Sequence, residues 1–300
     1  MRLNLKQLEA FVWVADLQSF RRAADRLNTT QPNISARIAA LEVALGTTLM
    51  TRDAGSVRLT GRGQALLPHA RQVLDATDAL IAAAGNTDLI DGTLRLGVTE
   101  MIVHTWLRDF LRAIKDRFAH LTVELTVDLS VNLEKQLSDR TIDLALQNAP
   151  FNRLTSGQID LGTYPLIWVA QPGVLPDGPV RLADLVRHPI LTHARDTRLY
   201  QEVAAHVGGQ ARLVPSSNLA ACLHMTMNGM GVATLPAAMV ARDIASGALV
   251  RIPYGWTPEP LHFFARFDAE RSPPMVADCA AIALETAHAF DHEMLSNPSK

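Results

Sequence analysis

Cysteine is scarce in this 300-residue chain: Cys222 and Cys279, far apart and without a Cys-x-x-Cys spacing. That excludes a disulfide scaffold, a zinc ribbon and an iron–sulfur site, and it fits a reducing compartment. Both thiols fall in apolar helical stretches, where cysteine acts as a small hydrophobe rather than a redox switch. Aromatic residues are few (5%), and the net charge of −2 does not by itself call for a polyanionic partner. The opening MRLNLKQLEA has no apolar h-region, so no signal peptide is expected and the location expected is cytoplasmic. One long uncharged stretch exists, Leu213–Ala241, but Ser216, Ser217, Asn218, His224, Asn228, Gly229, Gly231 and Pro236 break it into short elements. It reads as buried helix, turn and strand, so no membrane span and no membrane partner are expected. No G-x-S-x-G, HExxH, Walker or dinucleotide fingerprint appears, so an enzyme is not expected, nor a cofactor. His288 and His292 have an i, i+4 spacing that suits a metal, but they lack a third ligand and read as a solvated face; no metal site is expected.

What the chain does have is 48% hydrophobic residues, enough for two or three cored domains at this length. Charge is unevenly spread. Residues 1–62 hold nine Lys/Arg against five acids, +4, which leaves −6 for the remainder. A basic module joined to an acidic one is the natural reading.

The front of the chain is helical. Leu5, Leu8, Phe11, Val12 and Ala15 share one face of a first helix over 3–15. Ser19 is a candidate N-cap for a second, with Phe20, Ala23, Ala24 and Leu27 as its apolar face. TTQPNISARIAALEVALG, Thr29–Gly46, opens a third helix with Pro32 in the first turn, carries the stripe Ile34, Ile38, Leu41 and Leu45, and closes on Gly46. A polar entrance of this kind serves a purely core-packing helix poorly and suits one that enters a DNA groove. Helices two and three form a helix-turn-helix, and TLMTRDAGSVRLT after them reads as a β wing.

From Arg62 to about Ala84 an apolar seam runs along one helix, through Leu66, Ala70, Val73, Thr77 and Leu80 with Leu67, Leu74 and Ile81 beside it. The choice lies between a core helix and a dimerisation helix. Its place between a compact module and a change of pattern favours dimerisation, with Leu66, Val73, Leu74, Leu80 and Ile81 as contacts. GNTDLIDGT, Gly85–Thr93, is the expected linker. Strands and helices then alternate: strands at 94–99, 122–129 and 142–148, helices at 103–118 and 131–139. A second run of the same kind follows from 164, and a last helix spans 274–294. Such alternation predicts two parallel-type α/β lobes.

SFRRAADRLNTTQPNISARIAALEVALGTTLMTRDAGSVRLTGRG resembles the DNA-binding domain of the LysR-type transcriptional regulators. The resemblance rests on Ser19-Phe20, Ala23-Ala24, Leu27, Gln31-Pro32, Ser35, Ile38, Leu41-Glu42, Leu45-Gly46, Leu49, Arg52, Val57, Leu59-Thr60 and Gly63. IDLAL and NGMGVATLP extend it over essentially the whole chain. Met50, in place of a usual aromatic, depart from the pattern together with Ala36 and a wing without a central basic residue. The implied fold is α/β with an N-terminal all-α winged helix-turn-helix (1–60), a long linker and dimerisation helix (61–90), and an effector domain (91–300). That domain would have two lobes resembling type 2 periplasmic binding proteins, lobe I about 91–162 with 268–300 and lobe II about 163–267. The resemblance implies a homodimer or homotetramer, double-stranded promoter DNA and RNA polymerase as partners, and a small-molecule effector.

On that footing Thr30, Gln31, Pro32, Asn33, Ser35 and Arg37 form the DNA-reading end of the third helix, and Arg52 and Arg58 on the wing meet phosphates. Gln31 and Asn33 have the amide chemistry that reads adenine; alone, Gln31 is equally an exposed turn residue. Ligands of open α/β sheets bind at carboxyl ends of strands, near helix N-termini. Those positions hold Thr99, Glu100, Met101, Ser130, Gln147, Asn148, Thr192, His193, Arg195, Arg198, Ser216, Ser217 and Asn218. Ser130, Ser217 and Asn218 are also candidate N-caps. His193, Arg195 and Arg198 suggest an effector with a carboxylate. Glu100 has two readings, a partner for a ligand amine or for one of those arginines. The alternative function is a solute-binding protein in which the clamp is the whole activity.

Overall fold

A computed structural model of the chain describes residues 3–53, 56–83, 92–176 and 178–296, excluding the side chains of 52, 53, 56, 75, 78, 79, 81–83 and 293–296. The chain divides into two compact units, Met1–Asp91 with Arg271–Pro274, and Gly92–Glu270 with Met275–Lys300.

The first unit is built from α1 (Leu5–Leu17), α2 (Phe20–Arg26), α3 (Gln31–Leu45), a hairpin of β1 (Met50–Asp53) and β2 (Ser56–Leu59), and α4 (Gly61–Ala83). α1 starts two residues later than its apolar pattern suggests, because Asn4 forms a capping box with Gln7. Ser19 accepts from Arg22 N–H at 3.2 Å and starts α2. Phe11, Phe20, Ile34, Ile38, Leu41 and Leu49 make the core, with Ala70 of α4 inserted and Leu66, Leu67 and Leu74 packed around it. Gly46 ends α3 at φ +63°, the left-handed conformation that glycine adopts without strain. The expected linker lies largely outside the described residues; its last two positions, Gly92 and Thr93, already belong to a strand.

The second unit contains two five-stranded sheets. The first has the order β4-β3-β5-β12-β6, from β3 (Gly92–Val98), β4 (Leu121–Val127), β5 (Leu144–Asn148), β6 (Gly157–Tyr164) and β12 (Leu261–Phe267). The second has the order β11-β7-β10-β8-β9, from β7 (Leu166–Ala170), β8 (Ile190–His193), β9 (Leu213–Ser216), β10 (Val232–Pro236) and β11 (Val250–Arg251). Helices α5 (Glu100–His104), α6 (Leu107–Arg117), α7 (Ser130–Ser138) and α12 (Pro274–Ser296) accompany the first sheet in sequence. Helices α8 (Leu182–Leu185), α9 (Arg198–Val207), α10 (Leu219–Met227) and α11 (Ala237–Ala245) accompany the second. Each sheet has three parallel strands followed by an antiparallel one, β12 against β5 and β7 against β10.

Three expectations change. Leu261–Phe267, expected in the second lobe, pairs with β5 and β6 and so belongs to the first sheet. The first lobe is therefore 92–164 with 261–296, and the second is 166–251. β6 was not expected at all: its polar Gln158 and Asp160 and its two glycines hide an edge strand. The single helix expected at 103–118 is two, α5 and α6, broken at Thr105, where ψ is −99° and the hydroxyl turns back onto the Met101 carbonyl at 2.9 Å. Leu213–Ala241 resolves into β9, α10, β10 and most of α11, and among the described residues no helix is long and apolar enough to cross a membrane.

Candidate functional site

The first unit presents a polar helix end. Ile34, Ile38 and Leu41 of α3 are at most 3% exposed, which fixes that face to the core. The opposite face leaves Thr30, Gln31, Pro32 and Asn33 exposed at the N-terminal end, with Ser35 and Arg37 half-buried behind them. Thr30 is the N-cap residue but its side chain makes no cap bond. The Asn33 amide donates to Thr29 Oγ1 at 3.2 Å. The hairpin is tied to α3 by Glu42, whose Oε1 accepts from Leu49 N–H at 2.7 Å and Met50 N–H at 3.2 Å. Sequence reading placed Glu42 only in the family pattern; in the structure it holds the start of the hairpin against α3. Arg58 is exposed on β2. The Arg52 side chain lies outside the described ones. At the α4 seam the residues separate. Leu66 and Leu74 pack on the unit's own core, whereas Val73 (45% exposed) and Leu80 (70%) face outward. The Ile81 side chain lies outside those described.

The second unit has a cavity of about 580 Å³ lined from both sheets. Nine of the thirteen expected positions line it: Thr99, Glu100, Met101, Ser130, Asn148, His193, Arg198, Ser217 and Asn218; Ser216 does not, and its hydroxyl accepts from Asn218 N–H at 3.1 Å. Gln147 and Thr192 do not; they are 0% and 1% exposed. Arg195 is also absent from the lining and donates to the Tyr200 hydroxyl at 2.8 Å. Sequence reading missed Asp128, Asn132, Asp196 and Thr197 in the lining. Asp128 and Thr197 sit where a strand or loop feeds a helix, the same signal that found Ser130 and Asn218.

The cavity collects helix N-termini. The N-cap residues of α5, α7, α9 and α10 (Thr99, Leu129, Thr197 and Asn218) all line it. A helix N-terminus carries a partial positive charge; in α9 the Tyr200 N–H is already bonded to Thr197 Oγ1, and in α10 the Ala221 N–H is bonded to Asn218. Ser130 is not the cap it was expected to be. It is the first residue inside α7, and its hydroxyl donates to Asn148 Oδ1 at 2.8 Å and accepts from Asn148 N–H at 3.1 Å. Ser217 is not a cap either, since Asn218 holds that position, accepting from Ala221 N–H at 2.6 Å. Asp128 accepts from Leu129 N–H at 2.8 Å and from the Asn132 amide at 2.7 Å.

Glu100 is bonded to backbone rather than to one of the arginines. Its carboxylate accepts from the backbone N–H groups of Leu219, at 2.5 Å, and Ala220, at 3.2 Å, on the first turn of α10. Arg198 is committed to Glu259 at 2.6 Å, Glu202 at 3.2 Å and the Pro260 carbonyl at 2.7 Å. Burial pushes the His193 pKa down, against the opposing pull of Glu100 and Asp196, so the imidazole is neutral near pH 7. Thr99 Oγ1 and both side-chain polar atoms of Gln147 are buried with no partner.

Cys222 and Cys279 are both 0% exposed. Burial pushes the Cys222 thiol up to about 11 and the Cys279 thiol up to about 12. Among the described residues, no group of three or more His, Cys, Asp or Glu can hold a metal.

Comparison with known proteins bears on both units. Residues 5–64 match the family model described as "Bacterial regulatory helix-turn-helix protein, lysR family", and residues 87–287 match "LysR substrate binding domain". A probable hydrogen peroxide-inducible genes activator of Mycobacterium avium is 34% identical over 255 residues, 81% of this chain and 80% of that one. Full-length OxyR from Pseudomonas aeruginosa superposes with a TM-score of 0.62 at 20% identity, over 97% of this chain and 96% of that one. Full-length CbnR, solved with its target DNA, does so with a TM-score of 0.52 at 24% identity, over 95% of this chain and all of that one.

Proposed function

The chain belongs to the LysR family of transcriptional regulators, and on that premise we propose how it reads DNA and what it senses. α3 enters the major groove with Gln31 and Asn33 on base edges, while Thr30, Pro32, Ser35 and Arg37 frame that end and Arg52 and Arg58 neutralise phosphates. Two heads, joined through the outward row of α4 at Val73 and Leu80, bind an inverted-repeat promoter site. Pairing raises affinity through effective concentration; a dimer of dimers extends the same geometry. The relatives are transcriptional regulators, and this chain's activity is likewise binding in the cytoplasm rather than catalysis.

The effector we infer is a small carboxylate held between the two lobes. The observation that carries this is the convergence of four helix N-termini, two from each lobe, on one cavity. Those termini supply the positive field that Arg195 and Arg198, already bonded within the chain, do not. Effector binding favours one spacing of the lobes, shifts the population of head arrangements and changes contact with promoter and RNA polymerase. A peroxide signal is not proposed: both thiols are buried and held protonated, which disfavours the thiolate that peroxide attacks. Nothing favours the solute-binding alternative over a regulator matched along most of its length.

The test is a thermal-shift screen of the full chain against small carboxylates, amino acids and aromatic acids. It is followed by footprinting on the promoter with and without each hit. A ligand at 100 times its dissociation constant adds about 2.7 kcal/mol. A hit that also changes the footprint is the expected result; a folded protein that answers only non-anionic ligands overturns the carboxylate reading.

A further inference from the structure

The helix terminus that looks best suited to an effector carboxylate is already filled, by the chain itself. α10 belongs to the second lobe and offers three free N–H groups in its first turn. Asn218 takes Ala221; Glu100, carried by α5 of the first lobe, takes Leu219 and Ala220 with its two oxygens. These bonds span 119 and 120 positions of sequence and tie one lobe to the other across the cavity. A carboxylate on two backbone N–H groups at a helix N-terminus is the geometry in which proteins hold anionic ligands. Thr99, which precedes Glu100 in the chain, is 8% exposed, lines the same cavity and keeps a buried hydroxyl with no partner. A polar group left in that state indicates that a further hydrogen-bonding species belongs there.

We propose that Glu100 is a built-in occupant of an anion seat on α10, and that an effector carboxylate acts by taking the seat from it. The proposal rests on the effector reading above and deepens it. While Glu100 holds the seat, the lobes stay tied at their present spacing. A ligand carboxylate that replaces it satisfies Leu219 and Ala220 N–H in the cavity that Thr99 also lines. Unlike Glu100, it has no covalent link to the first lobe, so the tie is released. Apparent affinity for any carboxylate is lowered by the fraction of time the seat is empty, so the wild-type protein ignores weak anions.

Acetate titration of the full-length protein tests this, with chloride at matched ionic strength as control and thermal unfolding and calorimetry as readouts. In chloride, Glu100→Ala melts below wild type. Acetate then raises its melting temperature, and binds it about ten-fold more tightly than it binds wild type. Glu100→Gln, which keeps the shape and one acceptor oxygen but loses the charge, falls between the two. A folded Glu100→Ala protein that does not respond to acetate overturns the proposal, because no anion seat exists. Equal responses in wild type and variant also overturn it, because Glu100 does not compete. If Glu100→Ala does not fold, the same comparison is made with Glu100→Gln, whose acetate response must exceed that of wild type. The titration uses neither DNA nor effector. A seat found here alongside a blank carboxylate screen sinks only the effector reading, and a screen hit without a seat sinks only this proposal.

Discussion

At the scale of single residues, burial decides what the ionisable groups do. The Cys222 and Cys279 thiols, ordinarily near 9.0, are pushed up to about 11 and about 12 by desolvation. Folding therefore favours their protonated forms. That stability is intact below pH 9.0, the value they regain on unfolding, and is lost as pH rises through the folded values. Urea midpoints are expected to fall from pH 9 to 11, with the fall reduced by Cys279→Ala. Iodoacetamide at pH 7 should label neither thiol until the chain unfolds. Arg266 makes the opposite case, a charge kept buried by its partners. It is 1% exposed, donates to Glu134 at 3.3 Å and to the Arg153 carbonyl, and lies 3.8 Å over the Phe151 ring. Burial tends to raise the Glu134 pKa. The backbone N–H groups of Arg153 and Asn152, together with Arg266, outweigh it and bring the pKa below the usual value. Arg266→Met should cost about 3–5 kcal/mol by stranding Glu134, and adding Glu134→Leu should recover much of that; chemical denaturation of the three variants checks it.

At the scale of elements, the winged head depends on one close approach. Gly63, at the start of α4, leaves room for the carbonyl of Leu49 just before the wing: a Cβ there would lie 2.1 Å from that oxygen. Gly63→Ala must move the wing, so it should cost about 1–3 kcal/mol of stability and weaken DNA binding for all sequences alike. Unfolding curves and binding to specific and random duplexes measure both effects. Elements with a strong period were legible in advance. α1, α2 and α3 declare themselves by apolar spacing and caps, and most cavity residues by standing at strand ends. What was not legible depends on contacts distant in sequence. β6 has a muted alternation and becomes a strand only because β12 comes back to pair with it. Glu100 was assigned to an amine or an arginine because nothing near it in sequence announces the first turn of α10. Gln147 stands at a strand end like Asn148, yet it is 0% exposed and outside the cavity lining.

At the scale of the whole molecule, α4 divides its apolar seam between two uses: Leu66 and Leu74 close the head's own core, and Val73 and Leu80 remain outside. Leu80→Glu is expected to leave the fold and melting temperature nearly unchanged while shifting the protein to a smaller species in light scattering. DNA affinity should drop with it; an unchanged mass would show that the helix is not the joint. The sheet order has a consequence for how the chain is made. The second sheet is built entirely from strands between Leu166 and Arg251, so it can complete itself as it leaves the ribosome. The first cannot. β6 sits at its edge with β12 as its neighbour, and β12 comes about a hundred residues later. At bacterial synthesis rates β6 therefore waits on the order of ten seconds with its hydrogen bonds unmade. During that interval the nascent protein carries a finished second lobe on an unfinished first one, and the interrupted lobe is where a trigger-type chaperone has something to hold.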